Sequence, residues 1–482
     1  MQLETLLNKH FGYSTFRPGQ KEVIEKIVEG QDVIALLPTG MGKSLCYQLP
    51  GYIFNDPVLV ISPLLSLMQD QVDQMKQFGE KRVVALNSFL SNEQKRYAIH
   101  FLEQYRFIFI SPEMLLQHSV KQKLAQIKLS LIVVDEAHCI SQWGFDFRPD
   151  YLRIGEVFIQ ATRPPILALS ATATQKVLFD IKQYLQMKEP FEYVHSVDRP
   201  NLHYRRVKFH DREDKINWIL QHVKDTEGPG IIYVQSRTKA ENLSRRLYEQ
   251  GIQAATYHAG KDTEDRQFIQ QQFIDGSLEW IVATNAFGMG VHKQDVRQII
   301  HETLPANVEN YMQEVGRAGR DGKDAVAILL YAEGDEQLAE FIATTDLPSE
   351  HHVENYQAYL QRQELPIQMY RNGEISETAF RVLDYWMNHV SVHQVKDVLR
   401  NMRNDKFVAV RKMMELVRTD HCMRELLVNY FGQTLENRPP NCCENCGIDM
   451  KALVKSRQEQ KETKNLFEES WQDRIYQLLI GK

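Results

Sequence analysis

The strongest constraint on the fold is a series of short, almost entirely apolar runs separated by polar stretches of helical length. Such runs suit strands buried on both faces, as in a parallel sheet covered by helices. The first series comprises DVIALL (32–37), PVLVIS (57–62), FIFIS (107–111), LIVVD (131–135) and ILALS (166–170). After a pause near residues 196–202, the second comprises GIIYVQS (230–236), EWIVATN (279–285), QIIHE (298–302) and AVAILLY (325–331). The pattern predicts two successive α/β domains.

The sequence changes character at about residue 336, where strand-like runs give way to an amphipathic, Gln- and Met-rich sequence. We interpret this part as mostly helical. The chain of 482 residues is long enough for about three domains. The predicted fold class is therefore α/β, with two parallel-sheet domains in tandem followed by a mostly helical C-terminal region.

The charge balance excludes a general positive field around the protein. The chain has 57 Lys and Arg against 63 Asp and Glu, which gives a net charge of −6. Any binding of nucleic acid would therefore use local patches. No apolar stretch approaches the roughly 18 residues of a membrane-spanning helix, so we expect no membrane association and a cytoplasmic location.

The segment LPTGMGKS (37–44) follows a strand-like run and precedes a helical stretch, the context that a phosphate-binding loop requires. Gly40 and Gly42 would let backbone N–H groups approach the phosphates. Lys43 could reach the β and γ oxygens, and the Ser44 hydroxyl could bind Mg²⁺. Leu37 stands where the usual pattern has its first glycine, so a simple glycine-containing turn is the alternative.

The run LIVVD ends in DEAH (135–138), about ninety residues after the loop. An acid at the carboxyl end of a neighbouring strand, Asp135, can hold Mg²⁺, and Glu136 can orient and deprotonate an attacking water. Paired with a phosphate loop, these acids indicate ATP hydrolysis, although surface acids after a strand also occur by chance.

The second predicted domain ends in QEVGRAGRDG (313–322), which contains Arg317 and Arg320. Their spacing of three predicts that they share a helix face. Two guanidinium groups that face a nucleotide across a cleft could stabilise charge on its γ-phosphate and make hydrolysis depend on closure of the domains. A solvated turn is the alternative.

Four of the six cysteines lie close together near the end of the sequence: Cys422, Cys442, Cys443 and Cys446. Their spacing is close to that of four-cysteine zinc sites, so we predict a structural Zn²⁺ site. Because Cys442 and Cys443 are adjacent, one of them could be idle and His421 could substitute. Free buried thiols are the alternative.

Several strings occur in the order and spacing of one known family, and the chain resembles a RecQ-family DNA helicase over about residues 3–335 and 400–447. These strings are FGYSTFRPGQ, LPTGMGKSLCYQLP, ISPLLSLMQDQV, DEAHCISQWGFDFRPDY, LSATAT, DRPNL, YHAG, ATNAFGMGVHKQDVR and YMQEVGRAGRDG. The resemblance implies two RecA-like domains, the use of ATP with Mg²⁺, and 3′-to-5′ unwinding of DNA. It also implies a zinc-binding subdomain.

Site residues follow from the resemblance position by position. Tyr13, Arg17 and Gln20 match the adenine-recognition segment, with Tyr13 expected to stack on the base and Gln20 to hydrogen-bond its edge. Ser170 and Thr172 match the strand that links hydrolysis to DNA. Thr39 completes the nucleotide-binding set, and Gln313 joins Arg317 and Arg320 in the catalytic set.

An aromatic loop (141–151) follows the catalytic acids and has the composition of a DNA contact. Exposed aromatic side chains beside an arginine suit base stacking and phosphate binding. The predicted DNA-binding residues are Trp143, Phe145, Phe147 and Arg148. In the family the matching loop senses single-stranded DNA, and Phe145 stands where a His is usual. A hydrophobic cluster under a loop is the alternative.

The predicted domains are 1–200 and 201–335 for the two RecA-like domains, 336–447 for the helical zinc-binding region, and 448–482 for a tail. Winged-helix and HRDC domains of longer family members are expected to be absent.

The segment 347–402 matches nothing in the family and is either plain helical packing or a helix-turn-helix-like module. Residues 400–425 carry seven Lys or Arg and four Asp or Glu, so they form either a DNA-following hairpin or a solvated face.

The predicted function is an ATP-dependent 3′-to-5′ DNA helicase in recombination, repair or replication-fork processing. The alternatives are a DNA-dependent ATPase that translocates or anneals with little unwinding, a nonenzymatic zinc-stabilised DNA-binding factor and, less favoured, an RNA helicase. Expected partners are single-stranded and duplex DNA, with single-strand-binding protein and recombination factors as candidates. We expect a monomer, associated with the nucleoid in a bacterium.

Overall fold

The structure is a computed structural model, and it describes residues 3–63, 65–87, 90–141, 148–158, 163–287 and 293–457. Two parallel sheets follow one another along the chain, as the apolar runs predict. They are joined by a linker that we define as residues 195–201.

Within the described residues, the first sheet has seven strands in the order β3-β4-β2-β5-β6-β1-β7, all parallel. Its strands are β1 Val33–Leu36, β2 Val58–Ile61, β3 Val83–Leu86, β4 Phe107–Ile110, β5 Leu131–Val134, β6 Ile166–Ser170 and β7 Phe191–Val194. The strands β1, β2, β4, β5 and β6 are buried at every position, because helices cover both faces.

In the part of the chain that the structure describes, the second sheet has six parallel strands in the order β10-β11-β9-β12-β13-β8. These are β8 Leu202–Phe209, β9 Gly230–Tyr233, β10 Ala254–Tyr257, β11 Trp280–Ala283, β12 Gln298–His301 and β13 Ala325–Ala332. The long edge strand β8 pairs with β13 over eight residues. The first strand after the linker is therefore fixed along its whole length.

Helices cover the faces of both sheets. The first domain contains α1 Leu3–Phe11, α2 Gln20–Val28, α3 Leu45–Ile53, α4 Leu65–Gln77, α5 Asn92–His100, α6 Pro112–Leu115, α7 His118–Leu124, α8 Pro149–Leu152, α9 Ile154–Val157 and α10 Gln175–Tyr184, with 3-10 turns at Leu102–Gln104 and Ala137–Ile140. The second contains α11 Arg212–Asp225, α12 Arg237–Glu249, α13 Thr263–Asp275 and α14 Val308–Val315. Many begin at a side-chain cap; Asn307, for example, accepts a hydrogen bond from the backbone N–H of Asn310.

The C-terminal region is helical, as predicted. It contains α15 Asp335–Thr345, α16 Glu350–Gln361, α17 Gln368–Arg371, α18 Glu377–His389, α19 Val392–Arg418, α20 Met423–Tyr430 and α21 Met450–Leu453, with a 3-10 turn at Glu444–Cys446. The first half of α19 packs with α16 and α18 through Val395 and Leu399. Its second half shares the core of the second sheet through Val410 and Met413. The 27-residue α19 therefore joins two hydrophobic cores.

The unmatched segment 347–402 uses its helices for packing. Phe380 and Leu383 of α18 are buried in the cluster with α16 and α19. Outside that cluster, Arg381 forms ion pairs with Asp150 at 3.3 Å and Glu113 at 3.6 Å on the first domain. The segment has five Lys and Arg against seven Asp and Glu. Its packing and its acidity favour the plain-packing alternative over a helix-turn-helix that reads DNA.

The structure corrects the prediction that Arg317 and Arg320 share a helix face. The helix α14 ends at Val315, and the two arginines lie in the turn that follows it. Gly316 and Gly319 lower helix propensity here, and Gly319 has φ of 57°, in the left-handed region that ends helices. We call residues 316–320 the arginine turn.

Candidate nucleotide-binding and catalytic site

The phosphate-binding loop connects β1 to α3 at the carboxyl edge of the first sheet. Gly40 and Gly42 have φ of 91° and 74°, which side chains with a Cβ disfavour. A Cβ on Gly42 would lie 2.7 Å from Nε2 of Gln20, so the loop is also closely packed. Lys43 and Ser44 follow at the start of α3, where free backbone N–H groups attract anions. The loop therefore has the geometry of a phosphate cradle.

The two acids follow β5, and the strand order β5-β6-β1 brings them beside this loop. Glu136 has φ of 46°, a strained conformation for a non-glycine residue of the kind found at functional sites. Its carboxylate accepts a hydrogen bond from Nζ of Lys43 at 3.3 Å. The Tyr151 hydroxyl donates to the backbone oxygen of Asp135 at 3.0 Å. The acids and the loop lysine, predicted from separate strings, are thus in contact.

The electrostatics of this pair suit a divalent cation. Burial, reinforced by the Glu136 carboxylate, raises the pKa of Asp135 to about 6, although Lys43 opposes the shift. Burial also disfavours charge on Glu136, but Lys43 and other cations outweigh it and hold the pKa of Glu136 below its usual value. On the side of the first domain, two buried carboxyl groups stand beside one lysine, whereas the arginines face them from the second domain. Ser44 and Asp135 supply the oxygen ligands that Mg²⁺ prefers, so these residues fit the ion.

A chain of polar contacts leads from Glu136 to the end of β6. Nδ1 of His138 lies 3.4 Å from Oε2 of Glu136 and 3.0 Å from Oγ of Ser170. Ser170 then donates to the backbone oxygen of Thr172 at 2.8 Å. All of these side chains are buried except for a small part of Thr172. A shift in the segment after β6 would therefore reach the proposed water-activating acid.

A cavity of about 220 Å³ lies between the two sheet domains. From the first domain it is lined by Thr39, Gly40, Gly42, Lys43, Ser44, Asp135 and Glu136, and from the second by Gln313, Arg317 and Arg320. A Cβ on Gly40 would lie 3.5 Å from Cγ of Arg320, so the domains approach closely here. Burial, followed by the charges of Arg317 and Arg199, lowers the pKa of Arg320 to about 9. Such crowding of positive charge favours an anion in the cavity.

The predicted adenine-recognition segment lies against the phosphate loop. Gln20 is buried, and its Nε2 donates to the backbone oxygens of Met41 at 2.9 Å and Gly42 at 3.1 Å. Arg17 donates to the backbone oxygen of Gly40. Tyr13 is 61% exposed, which leaves its ring free to stack on a base. Gln20 and Arg17 therefore hold the loop, a role that the sequence reading did not assign.

We predict that Gln20→Ala raises KM for ATP about tenfold with little change in kcat, because two hydrogen bonds to the loop are lost. Steady-state hydrolysis of ATP and of GTP checks this. If Gln20 only holds the loop, both KM values rise together; if it also contacts adenine, the preference for ATP falls. Gln31→Ala is the control, because Gln31 is partly exposed, its Nε2 donates to the backbone oxygen of Glu189 at 3.4 Å, and it does not line the cavity between the domains. An unchanged KM in Gln20→Ala would contradict the assignment.

Most of the predicted DNA-binding loop lies outside the described residues, including Trp143, Phe145 and Phe147. Arg148 is described, and its backbone N–H donates to the oxygen of Cys139 at 3.0 Å. Its Nη1 donates to the backbone oxygen of Pro63 at 3.1 Å. Arg148 thus fixes the end of the loop to the segment after β2.

The four predicted zinc ligands lie together. The Sγ atoms of Cys422, Cys442, Cys443 and Cys446 are all within 4.8 Å of one another. Those of Cys422 and Cys442 are 3.6 Å apart, close to the roughly 3.8 Å expected for sulfurs at about 2.3 Å from a tetrahedral Zn²⁺. Both adjacent cysteines belong to the cluster, so neither is left over. These thiols fit zinc, and we call residues 419–447 the zinc module.

Comparison with known proteins agrees with this geometry. The family model for the DEAD/DEAH box helicase matches residues 17–181, the helicase conserved C-terminal domain matches 214–322, and the RecQ zinc-binding model matches 387–448. The probable ATP-dependent DNA helicase RecS of Bacillus subtilis is 39% identical, with 99% of this chain and 98% of RecS covered. The chain belongs to the RecQ family of ATP-dependent DNA helicases.

Other RecQ-family members are longer. The ATP-dependent DNA helicase RecQ of Haemophilus influenzae is 35% identical over 92% of this chain, and the match spans 63% of that protein. Among solved structures, the DUF1998 helicase MrfA bound to DNA has a TM-score of 0.59 at 19% identity, covering 70% of this chain and 52% of MrfA. That likeness supports the fold alone. In the part of the chain that the structure describes, no helix has the length and apolar character to cross a membrane.

The structure also identifies residues near the site to which the sequence pattern assigned no role. The string DRPNL (198–202) contains Arg199 and Asn201, both of which hydrogen-bond the arginine turn. The sequence shows that this string lies between the two series of strands. It does not show that the string contacts Gly316 and Gly319, which lie more than a hundred residues further along the chain.

Proposed function

We propose that this RecQ-family helicase moves 3′ to 5′ along single-stranded DNA and unwinds duplex DNA, driven by ATP hydrolysis between its two sheet domains. The supporting observation is the cavity in which Lys43 and Glu136 face Arg317 and Arg320. Because neither domain holds the full set, hydrolysis would require the domains to approach one another. Repeated closing and opening would then move the two domains along a bound strand.

Each residue has a proposed chemical role. Lys43 and the backbone N–H groups of the loop bind the β and γ oxygens of ATP. Ser44 and Asp135 hold Mg²⁺, which supplies positive charge to these oxygens when it is bound. Glu136 orients the attacking water and accepts its proton. The arginine pair then stabilises the negative charge that develops on the transferred group.

The contacts around Glu136 support coupling between DNA and hydrolysis. His138 links Glu136 to Ser170, and Tyr151, the last residue of the aromatic loop, links α8 to Asp135. A strand bound at that loop could therefore alter the position of both acids. We propose base stacking on Trp143, Phe145 and Phe147 and phosphate contact by Arg148 as the sensing step.

The proposed biological setting is recombination, repair or replication-fork processing, with the protein acting as a monomer. Single-strand-binding protein and recombination factors are candidate partners. The setting is supported by membership of the RecQ family, since relatives that match most of this chain are named ATP-dependent DNA helicases.

The test measures ATP hydrolysis with and without single-stranded DNA, and strand displacement on duplexes with a 3′ tail, a 5′ tail or blunt ends. We expect stimulated hydrolysis, and displacement on the 3′-tailed duplex only. Glu136→Gln is the control for contaminating activity, because it removes the proposed base. Stimulation without displacement would favour a translocase or annealing factor, and no hydrolysis would favour a nonenzymatic DNA-binding factor.

A further inference from the structure

The linker between the two sheet domains lies close to the 220 Å³ cavity that contains Lys43 and Arg320, which we call the ATP cavity. A small cavity of about 30 Å³ brings together Thr39 of the phosphate loop, Thr172 of the segment after β6, Arg199 of the linker, and Gln313 and Gly316 of the second domain. The linker is thus within reach of both halves of the proposed catalytic site. Its side chains can influence how the halves meet.

Two linker side chains hold the arginine turn by its backbone. Nη1 of Arg199 donates to the oxygen of Gly316 at 3.1 Å, and its Nη2 donates to the oxygen of Gly319. Nδ2 of Asn201 donates to the oxygens of Gly319 and Lys323, both at 2.8 Å. These carbonyl groups flank Arg317 and Arg320 in sequence. The direction in which the two arginines point therefore depends on the linker.

The packing at Gly319 leaves little freedom for this turn. Gly319 has φ of 57°, and a Cβ added to it would lie 2.5 Å from Nδ2 of Asn201 and 2.8 Å from the oxygen of Lys323. The turn and the linker are in direct contact, so a change in one displaces the other.

The zinc module also holds this linker. Arg424, two residues after Cys422, is fully buried. Its Nη1 donates to Oδ1 of Asp198 at 2.6 Å and to the backbone oxygen of Arg199 at 2.9 Å, and its Nη2 donates to the oxygen of Leu202.

Gln433 holds the beginning of the linker. Its Oε1 accepts the backbone N–H of Val197 at 2.9 Å, and its Nε2 donates to the backbone oxygen of His195 at 3.2 Å. The zinc module thus fixes the linker at both ends, since Arg424 holds residues 198–202. A continuous set of hydrogen bonds joins it to the arginine turn.

We propose that Arg199 and Asn201 are positioning residues for the arginine pair, and that the zinc module sets their geometry by holding the linker through Arg424 and Gln433. Zinc binding would then support ATP hydrolysis by a route other than DNA binding. This inference rests on the proposed role of Arg317 and Arg320 in stabilising the transition state.

The test uses the full chain with zinc bound and separates transition-state binding from ground-state binding. ADP with aluminium fluoride mimics the transferring phosphoryl group, whereas ADP alone does not engage groups that act on the γ position. In Arg199→Ala we expect kcat for DNA-stimulated hydrolysis to fall about 10- to 100-fold, because small displacements of catalytic groups have effects of this size. Affinity for ADP–aluminium fluoride should fall by a similar factor, with zinc content and affinity for ADP unchanged.

Arg206→Ala is the matched control. Arg206 also joins the second sheet to the zinc module, through the backbone oxygen of Thr419 at 2.8 Å and Oδ1 of Asn445 at 3.1 Å, but it does not belong to the linker. We expect it to keep affinity for ADP–aluminium fluoride within about twofold of the unaltered protein. Equal losses in Arg206→Ala and Arg199→Ala would overturn the inference, because general packing would then explain both.

Two further variants keep the test decisive if Arg199→Ala fails to fold. Asn201→Ala removes donors to Gly319 and Lys323, and Gln433→Ala releases the linker without touching a cysteine. In both variants, kcat and the affinity for ADP–aluminium fluoride should fall, by less than in Arg199→Ala, while the affinity for ADP stays unchanged. Normal affinity for ADP–aluminium fluoride in both would overturn the inference.

Arg320→Ala distinguishes this inference from the function on which it rests. If Arg320→Ala loses affinity for ADP–aluminium fluoride while the linker variants do not, only the linker inference fails. If Arg320→Ala keeps that affinity, the proposed role of the arginine pair fails and the linker inference fails with it.

Discussion

Replacing Lys43 with alanine is expected to lower kcat/KM for ATP by about 10³-fold or more, because a preorganised cation that contacts the phosphates is lost. The structure adds a second reason. Lys43 lowers the pKa of both Asp135 and Glu136, which are buried beside each other. Without it, protonated carboxyl groups are favoured, so the variant should also require more Mg²⁺. Steady-state hydrolysis at saturating single-stranded DNA and a Mg²⁺ titration check both effects.

The matched control for this change is Lys239→Ala. Lys239 forms an ion pair with Glu302 at 3.1 Å in the second domain and does not line the ATP cavity. We expect this variant to keep hydrolysis within about twofold, because single charge changes away from a site have small effects. Hydrolysis by Lys43→Ala within about tenfold of the unaltered protein would contradict the assignment of the phosphate loop.

The apolar runs predicted the interior of both sheets and missed their edges. All nine runs correspond to interior strands, whereas the four strands that they omit, β3, β7, β8 and β10, lie at the edges. Edge strands are covered less completely, so they keep polar residues; β8 carries Arg205, Arg206 and Lys208. The strand β3 is the exception, because it is nearly as apolar and as buried as an interior strand although it lies at an edge. Burial on both faces is therefore what the pattern detects.

The site was predictable where one local string carries the chemistry. The phosphate loop and the DEAH acids each follow a strand, and parallel strands bring their carboxyl ends to one edge. The geometry of Arg317 and Arg320 was not predictable in the same way, because it depends on contacts between the turn and the distant linker. Arg424 illustrates the same limit: it counts toward a basic helical hairpin in the sequence, yet it is fully buried in the structure.

Loss of zinc is expected to destabilise the second domain as well as the zinc module. Cys422, Cys442 and Cys443 are buried in the same hydrophobic cluster as strands of the second sheet, including Leu329 of β13. Ligation by four thiolates makes metal binding part of the folding free energy, on the order of 10 kcal/mol in small zinc modules. We therefore predict that Cys443→Ser loses the metal and lowers the melting temperature by at least about 10 °C. Metal analysis and thermal unfolding measure the two effects.

Three controls make the zinc prediction specific. Cys442→Ser should behave as Cys443→Ser does, because both sulfurs belong to the cluster, whereas His421→Ala should retain the metal. Cys46→Ser should also retain it: Cys46 is buried in α3, far from the cluster in sequence, and burial raises its pKa to about 12, which disfavours the thiolate. A Cys443→Ser protein that still holds one zinc per chain and melts normally would show that the adjacent cysteines are not both ligands. Because the zinc module also holds the linker, the melting loss should be accompanied by a fall in kcat.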